Sequence, residues 1–431
     1  MDDAVASPAV QSATSGQVPA RHQARSGAPA GYEYDALVLD GGSRQALAAV
    51  RSLGKAGKRV VAAECFAECD PSLPVLSFRS RYCARTLVIP SFATDPGGFG
   101  AGIADFVGQH PTRAVFPGSD GSVSAVLPRR QQLAALGCRL VLPSDGVLDI
   151  ANNKERTLDV AARLGIRPPA SIPVGSLDEL PAVVAKLGFP LVLKPTSSWP
   201  EHGRERLQAV EVINETEAAA AVSLILEAGN GVLAQEFAGG RREAVILFIA
   251  DGEIAASLCY ASLRTSPALG GASVLREVVP MPADLLDMSV RLATAMGIQG
   301  LCEVEFRRDL AGRPLLMEVN ARLLGGIETA RKAGIDFPLL MWQWAMGDPV
   351  TRIDSYRVGV RMRWLRGDMR WLLKNFHRTG RPDSMSRSRA AWTFAAEFWR
   401  TPHYDCLEFR DLGPMLAEWR TTLASIRKSV S

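Results

Sequence analysis

The segment Leu301–Arg322, "LCEVEFRRDLAGRPLLMEVNAR", carries the pattern from which the fold can be read. Two runs of alternating apolar residues, "LCEVEF" and "LLMEVN", flank a connection containing Gly and Pro. That connection has hairpin length, so the runs are expected to be antiparallel neighbours. Successive side chains of a strand point to opposite faces. Glu318, Asn320 and Arg322 therefore project together, while Met317 and Val319 face the other way. Glu305, on the first run, is placed to meet Glu318 on the same face. Such groups are costly to bury unless something compensates them. Two carboxylates and an amide oxygen form a hard, all-oxygen donor set, which suits magnesium when phosphates and water complete its octahedron. Arg322 adds a forked donor for phosphate or carboxylate. A surface hairpin with solvated charges is the alternative, and the strongly apolar flanking residues disfavour it.

The chain has 431 residues, enough for two or three domains and a sizeable core. With 47% hydrophobic and 22% charged residues it is composed like an ordinary soluble protein, and its net charge of +4 is too mild to argue for nucleic acid. Seven cysteines are scattered without a CxxC pair or a His at ligand spacing, which suggests reduced thiols of a cytoplasmic protein rather than a metal site. No apolar run is long enough to span a bilayer. Residues 1–31, rich in Ala, Ser, Gln, Gly and Pro, read as a disordered tail. Their composition excludes a secretory signal, and Asp2 and Asp3 argue against a transit peptide.

Order begins at "YDALVLDGGSRQALAAVRSLGKAGKRVVAAE", a strand, turn, helix and strand that imply a parallel, doubly wound sheet. The turn "DGGSRQALA" lacks GxGxxG spacing, and Arg44 stands where glycine would let a dinucleotide approach. A sheet whose turn supports a neighbouring domain or substrate is the favoured reading over a nicotinamide site. "TLVIP", "RAVFPGSD" and "CRLVLPS" read as further strands of this sheet, with "PGSDGS" a polar turn at a strand's carboxyl end. From Asn152 the texture becomes α+β: a helix opening at Lys154, a strand "PLVLK" ending on Lys194, a strand "GVLAQEF", then the hairpin. A lysine at the end of an apolar strand has a rigid stem and an ammonium that can reach phosphate. "QEFAGGRREAV" offers backbone groups to a purine edge and an apolar wall to its ring, with Glu243 following at a reach suited to ribose hydroxyls. Beyond about Thr351 the chain reads as helical and Arg-rich, with five of the eight tryptophans.

Lys154, Lys194, "QEF…GG…E", "VEF" and "MEVNAR" occur in the order and spacing of the ATP-grasp superfamily, which the chain resembles from about Tyr34 to Gly347. It is most similar to the carboxylate–amine ligase branch, in which a carbamoyl-phosphate-synthase-like or PylC-like ATP-grasp domain follows a Rossmann-like one. The resemblance implies an α/β and α+β protein: a Rossmann-like pre-ATP-grasp domain (32–150), a two-lobed ATP-grasp domain (151–350) and a helical extension (351–431). It assigns Lys154 and Lys194 to ATP phosphates, Gln235, Glu236 and Phe237 to adenine, and Glu243 to ribose. Glu305, Glu318 and Asn320 would bind magnesium (or manganese). Arg322 would lie near the transferred phosphate, and Arg264, in "LRTSPALGGAS", on a loop facing the substrate.

Three departures from the family pattern stand out: Asn153 for the usual Asp, Ala321 for the usual Pro, and a loop "TSSWPEHGRER" with one glycine, Gly203. The implied activity is amide formation through an acyl phosphate, releasing ADP and phosphate. The implied partners are a small carboxylate and an amine, amino acids or peptides by analogy, and a second copy in a homodimer. A non-catalytic ATP-binding module, acting as sensor or assembly subunit, is the competing reading, motivated by the atypical loop. No Ser/His/Asp or Cys/His arrangement for a protein nucleophile is visible. In the C-terminal region Trp364 and Trp371 are seven apart, as are Trp392 and Trp399, among Arg363, Arg366, Arg370 and Arg400. A basic aromatic face of that kind suits an anionic membrane surface or a partner. Packing of the tryptophans against the core, with solvated arginines, is the favoured reading.

Overall fold

The computed structural model describes residues 31–65, 74–196, 207, 209–266, 271–309, 311–377 and 384–430. The expected tail, Gly31 apart, and most of the loop 196–206 lie outside the described residues. Among the described residues the strands form three sheets. In the first, β1 (Tyr34–Val38), β2 (Val60–Cys65), β3 (Cys83–Ile89), β4 (Thr112–Phe116) and β5 (Arg139–Leu140) are all parallel, in the order β3-β2-β1-β4-β5. This is the doubly wound sheet expected from the opening pattern. β1 and β2 are buried almost throughout, as strands covered by helices on both faces must be.

The turn after β1 is held by two devices. Asp40 takes a left-handed φ of 58°, and its buried carboxylate accepts hydrogen bonds from Ser119, Ser122 and the Gly118 amide. Gly42 lies so close to Glu64 that a Cβ there would come within 2.9 Å of its carboxylate. Ser43 then caps the helix Arg44–Lys55. Arg44 pairs with Asp405 at 2.9 Å and lies over the Trp364 ring at 4.2 Å. The turn thus supports another part of the chain.

The second sheet orders β6 (Ser171–Val174), β7 (Leu191–Pro195), β8 (Val210–Val212) and β9 (Val232–Glu236) as β6-β9-β7-β8, all antiparallel. The third contains β10 (Arg242–Ala250), β11 (Glu253–Ser266), β12 (Ala272–Val279), β13 (Gly300–Arg308), β14 (Pro314–Asn320), β15 (Arg361–Arg363) and β16 (His403–Tyr404). Their order is β14-β13-β10-β11-β12-β15-β16. β10 shows how this sheet is covered. Val245, Leu247 and Ile249 join one apolar cluster, with Leu285, Leu292 and Met296 of the helix Ala283–Met296. Ala244, Ile246 and Phe248 join another, with Phe337, Leu340 and Met341 of the helix Phe337–Met346.

The C-terminal region is not purely helical. Its helices Leu365–His377, Arg387–Arg400 and Gly413–Val430 are accompanied by β15 and β16, which extend the large sheet beyond β12. The expected basic aromatic face is also divided. Trp371 is buried and Trp364 half-buried, and Arg363 is fully buried between Asp368 and the rings of Phe394 and Phe398. Trp392 and Trp399 are instead 71% and 84% exposed. No described helix is long and apolar enough to cross a membrane.

Candidate active site

The hairpin forms as its sequence requires: β13 and β14 are antiparallel, with Glu305 directly opposite Glu318 and Glu303 opposite Asn320. One detail departs from strict alternation. Phe306 pairs with Leu316, so Met317 is an extra residue in β14, a bulge. The bulge turns both Met317 and Glu318 into one cavity, whereas alternation alone would send them apart.

That cavity, of about 380 Å³, lies between the four-stranded and seven-stranded sheets and collects most of the sequence-predicted residues. Lys154 enters from the first turn of the helix Lys154–Arg163, whose N-cap is Asn153, and its ammonium donates to the Pro195 carbonyl at 3.2 Å. Asn153 therefore does the capping expected of an Asp. Lys194 comes from the end of β7, and Gln235, Glu236 and Phe237 from the end of β9. Val192, Leu207 and Met317 supply apolar wall. Gln235 donates to Ser171 at 2.9 Å, while its buried amide oxygen has no hydrogen-bond partner. Glu236 accepts from the Ala170 amide at 3.1 Å. A buried polar atom left open beside apolar wall at a strand end fits a bound heterocycle.

The electrostatics are those of a polyanion site with a carboxylate pair inside it. Burial pushes the Lys194 ammonium down to about 8, against the attraction of Glu318 and with repulsion from Lys154. Burial also raises the Glu305 carboxyl, opposed by Arg242, whose guanidinium pairs with it at 2.5 Å. Glu318 stays exposed; the protein around it works in the same sense, but Arg242, Asn320 and Lys194 outweigh this and hold its carboxyl below the ordinary value. Asn320 is oriented from both ends: its Nδ2 donates to Glu318 at 3.2 Å and its Oδ1 accepts from Arg322 at 3.0 Å. Among the described residues no group of three or more His, Cys, Asp or Glu gathers into a metal site. The donor set is thus two carboxylates and an amide, and it fits a magnesium ion whose remaining ligands are phosphate oxygens and water.

Four expected residues do not line the cavity: Asn320, which reaches it through Glu318, and Glu243, Arg264 and Arg322. Glu243 is opposite Phe306, so it occupies the face of β10 away from Arg242 and Glu305; there it pairs with Arg308 at 2.7 Å. It does not line the cavity. Arg264 forms a bidentate pair with Asp368, at 2.8 and 3.0 Å, over the Trp371 ring, and lines a second cavity instead. Arg322 is engaged by Asp120, with Nε to Oδ1 at 2.5 Å, so the polar turn of the first sheet reaches the end of β14. Sequence reading missed Glu303, Arg242 and Arg307. Glu303 is buried, accepts from the Tyr260 hydroxyl at 2.8 Å, and is pushed up to about 8 by burial and by Glu305. The signal for Glu303 and Arg307 was the two-residue period of "CEVEFR", which puts both on the Glu305 face.

A family model described as "ATP-grasp in the biosynthetic pathway with Ter operon" matches residues 268–367. The D-alanine–D-alanine ligase of Pseudomonas entomophila is 26% identical over 242 residues, covering 52% of this chain and 71% of the ligase. Residues 268–367 thus match an ATP-grasp family model, and about half of the chain is similar to a D-alanine–D-alanine ligase. Other relatives are much longer. It is 24% identical over 236 residues to the carbamoyl phosphate synthase large chain of Gemmatimonas aurantiaca, matching 51% of its own length but only 20% of the synthase. The biotin carboxylase of Campylobacter jejuni, solved as a complex with βγ-ATP, superposes with a TM-score of 0.58 at 18% identity, over 76% of this chain and 74% of that one. At that identity the likeness speaks to the ATP-grasp fold alone.

Proposed function

We propose that this protein is an ATP-dependent carboxylate–amine ligase that forms an amide bond through an acyl phosphate. The observation that carries the reading is the cross-strand pair Glu305 and Glu318 in one cavity with Lys154, Lys194 and the Gln235–Phe237 strand end. Two lysines and a carboxylate pair gathered against an apolar slot are what a nucleoside triphosphate with its metal requires. Magnesium held by Glu305, Glu318 and Asn320 would supply charge neutralisation at the phosphates.

The chain's own residues do the rest by position and charge. Gln235 and the backbone after it receive the adenine edge, and Val192 and Met317 cover its ring. Lys154 and Lys194 bind phosphate oxygens, and Lys194, held by its strand, offsets charge on the group being transferred. Arg322 exchanges Asp120 for that group as it moves. A substrate carboxylate oxygen attacks the γ-phosphorus, the bond to ADP breaks, and an acyl phosphate results. An amine then attacks the acyl carbon, loses a proton, and expels phosphate. The D-alanine–D-alanine ligase among the relatives makes amino acids the first substrates to try.

A trapping assay tests this. Purified protein is incubated with ATP, magnesium, pooled carboxylates and hydroxylamine, and ADP and hydroxamates are measured. Carboxylate-dependent ADP with a new hydroxamate is expected, falling about a hundredfold or more in Glu318→Ala. ATP binding without ADP across the pool would replace the ligase by a nucleotide-binding module.

A further inference from the structure

Beside the ATP cavity lies a second one of about 560 Å³, which contains six arginines, Arg241, Arg242, Arg264, Arg307, Arg389 and Arg400, against a single lining carboxylate, Glu397. The two cavities are continuous in their walls, since Arg242 and Arg307 line both. One wall is the sheet: Arg242 on β10 is opposite Ser262 on β11, so both lie on the face that carries Glu305. The other is the helix Arg387–Arg400. Its Arg389, Thr393, Glu397 and Arg400 follow a spacing of four, four and three, which puts them in one stripe facing the cavity. The exposed Trp392 and Trp399 fall outside that stripe.

Much of this charge is already matched. Arg264 is held by Asp368, Arg242 by Glu305, and Glu397 itself is occupied by Arg361 at 3.5 Å and by the Thr401 hydroxyl at 2.6 Å. Arg389 and Arg400 differ: among the described residues no carboxylate pairs with either. Two further donors are open at the opposite wall, the buried Nε of Arg242 and the buried hydroxyl of Ser262. Buried donors without acceptors are costly, and in a roomy cavity between two sets of arginines an anionic ligand removes the cost.

We propose that this cavity binds a small organic acid carrying at least two anionic groups. One group lies toward Arg242 and Ser262 at the border with the ATP cavity, and the other is held by Arg389 and Arg400 of the C-terminal helix. A monoanion would engage one arginine set and leave the other to solvent. The role of this acid as the carboxylate that receives phosphate rests on the ligase reading; its binding does not. The C-terminal region is then part of the substrate site, and it selects the acid.

The test uses the full chain. Binding of succinate, citrate and O-phosphoserine is measured by calorimetry against acetate at equal ionic strength, in wild type and in Arg389→Gln/Arg400→Gln. These two side chains are exposed, so the double variant should fold normally. At least one of the polyanions is expected to bind, acetate not to, and the double variant to lose about tenfold to a hundredfold in affinity while ATP binding is unchanged. Polyanions binding no better than acetate, or equally to the double variant, would overturn the assignment. Running the trapping assay on the same proteins separates the two readings. Polyanion binding that depends on the two arginines, with no ADP formed, sinks the ligase and leaves the cavity assignment standing. ADP formation supported by monoacids alone, unaffected in the double variant, does the reverse.

Discussion

Lys194 shows what the site demands of a single residue. In the proposed ATP site its ammonium meets phosphate, yet the surroundings favour its neutral form and bring it down to about 8 from 10.5. Such a lowered base costs folding stability while it is charged, below about pH 8. The cost is relieved as pH rises toward the unfolded value. Lys194→Met should therefore stabilise the protein at pH 7 by roughly 1–2 kcal/mol, less than the shift alone implies because solvent reaches the cavity. The same variant should bind ATP about tenfold to a hundredfold more weakly. In wild type, ATP affinity should decline above pH 8, and Lys194→Met should flatten that decline. Denaturation at pH 7 and ATP titrations from pH 6.5 to 9.5 check both. A variant that is destabilised, or a wild type with no decline, would refute the account. Residues like Lys194, Glu305 and Glu318 were legible from sequence because a charged side chain in an apolar strand is expensive and so stands out. For Glu243 the strand was legible but the face was not: its register against β13 puts it on the side away from Glu305.

Helices of the C-terminal region show how far periodicity reaches. A seven-residue repeat of tryptophan was visible for both pairs, yet the pairs have opposite fates. Trp371 is 6% exposed, packs with Val274 and Ala390, and carries the Arg264 guanidinium 4.4 Å from its ring centre. Trp399 is 84% exposed. Trp371→Ala should cost about 3–5 kcal/mol, whereas Trp399→Ala should stay within about 0.5 kcal/mol of wild type. Urea unfolding of both variants decides it; equal costs would mean that the exposed tryptophan is buried by something else, such as another copy. Helical spacing says which side chains share a face. It does not say whether that face meets a sheet or water.

Across the whole molecule, buried ion pairs join parts of the chain that lie hundreds of residues apart. Arg51, in the first helix, pairs with Asp411 at 2.8 Å and donates to the carbonyls of Asp405, Cys406 and Asp411, with both charged side chains about 1% exposed. Asp405 in turn takes Arg44 and Arg276. Arg51→Met should leave Asp411 with only Ser80 and the Arg81 amide as donors, and cost about 3 kcal/mol or more. We expect faster limited proteolysis within residues 401–412 as well as the lower unfolding midpoint. Unchanged proteolysis would show that the strands β15 and β16 suffice to hold the region.

The sequence alone determined the parallel opening sheet, the antiparallel hairpin that carries Glu305 and Glu318, and the lysines and glutamates that meet between sheets. Those follow from periodicity, turn chemistry and the cost of burying charge, all of which are local. The tertiary structure alone decided that Arg322 faces Asp120, that a bulge turns Met317 inward with Glu318, that Arg264 belongs to Asp368, and that a C-terminal helix walls an arginine-lined cavity. Each of these depends on contacts between residues far apart in the chain, and side-chain charge by itself does not name its partner.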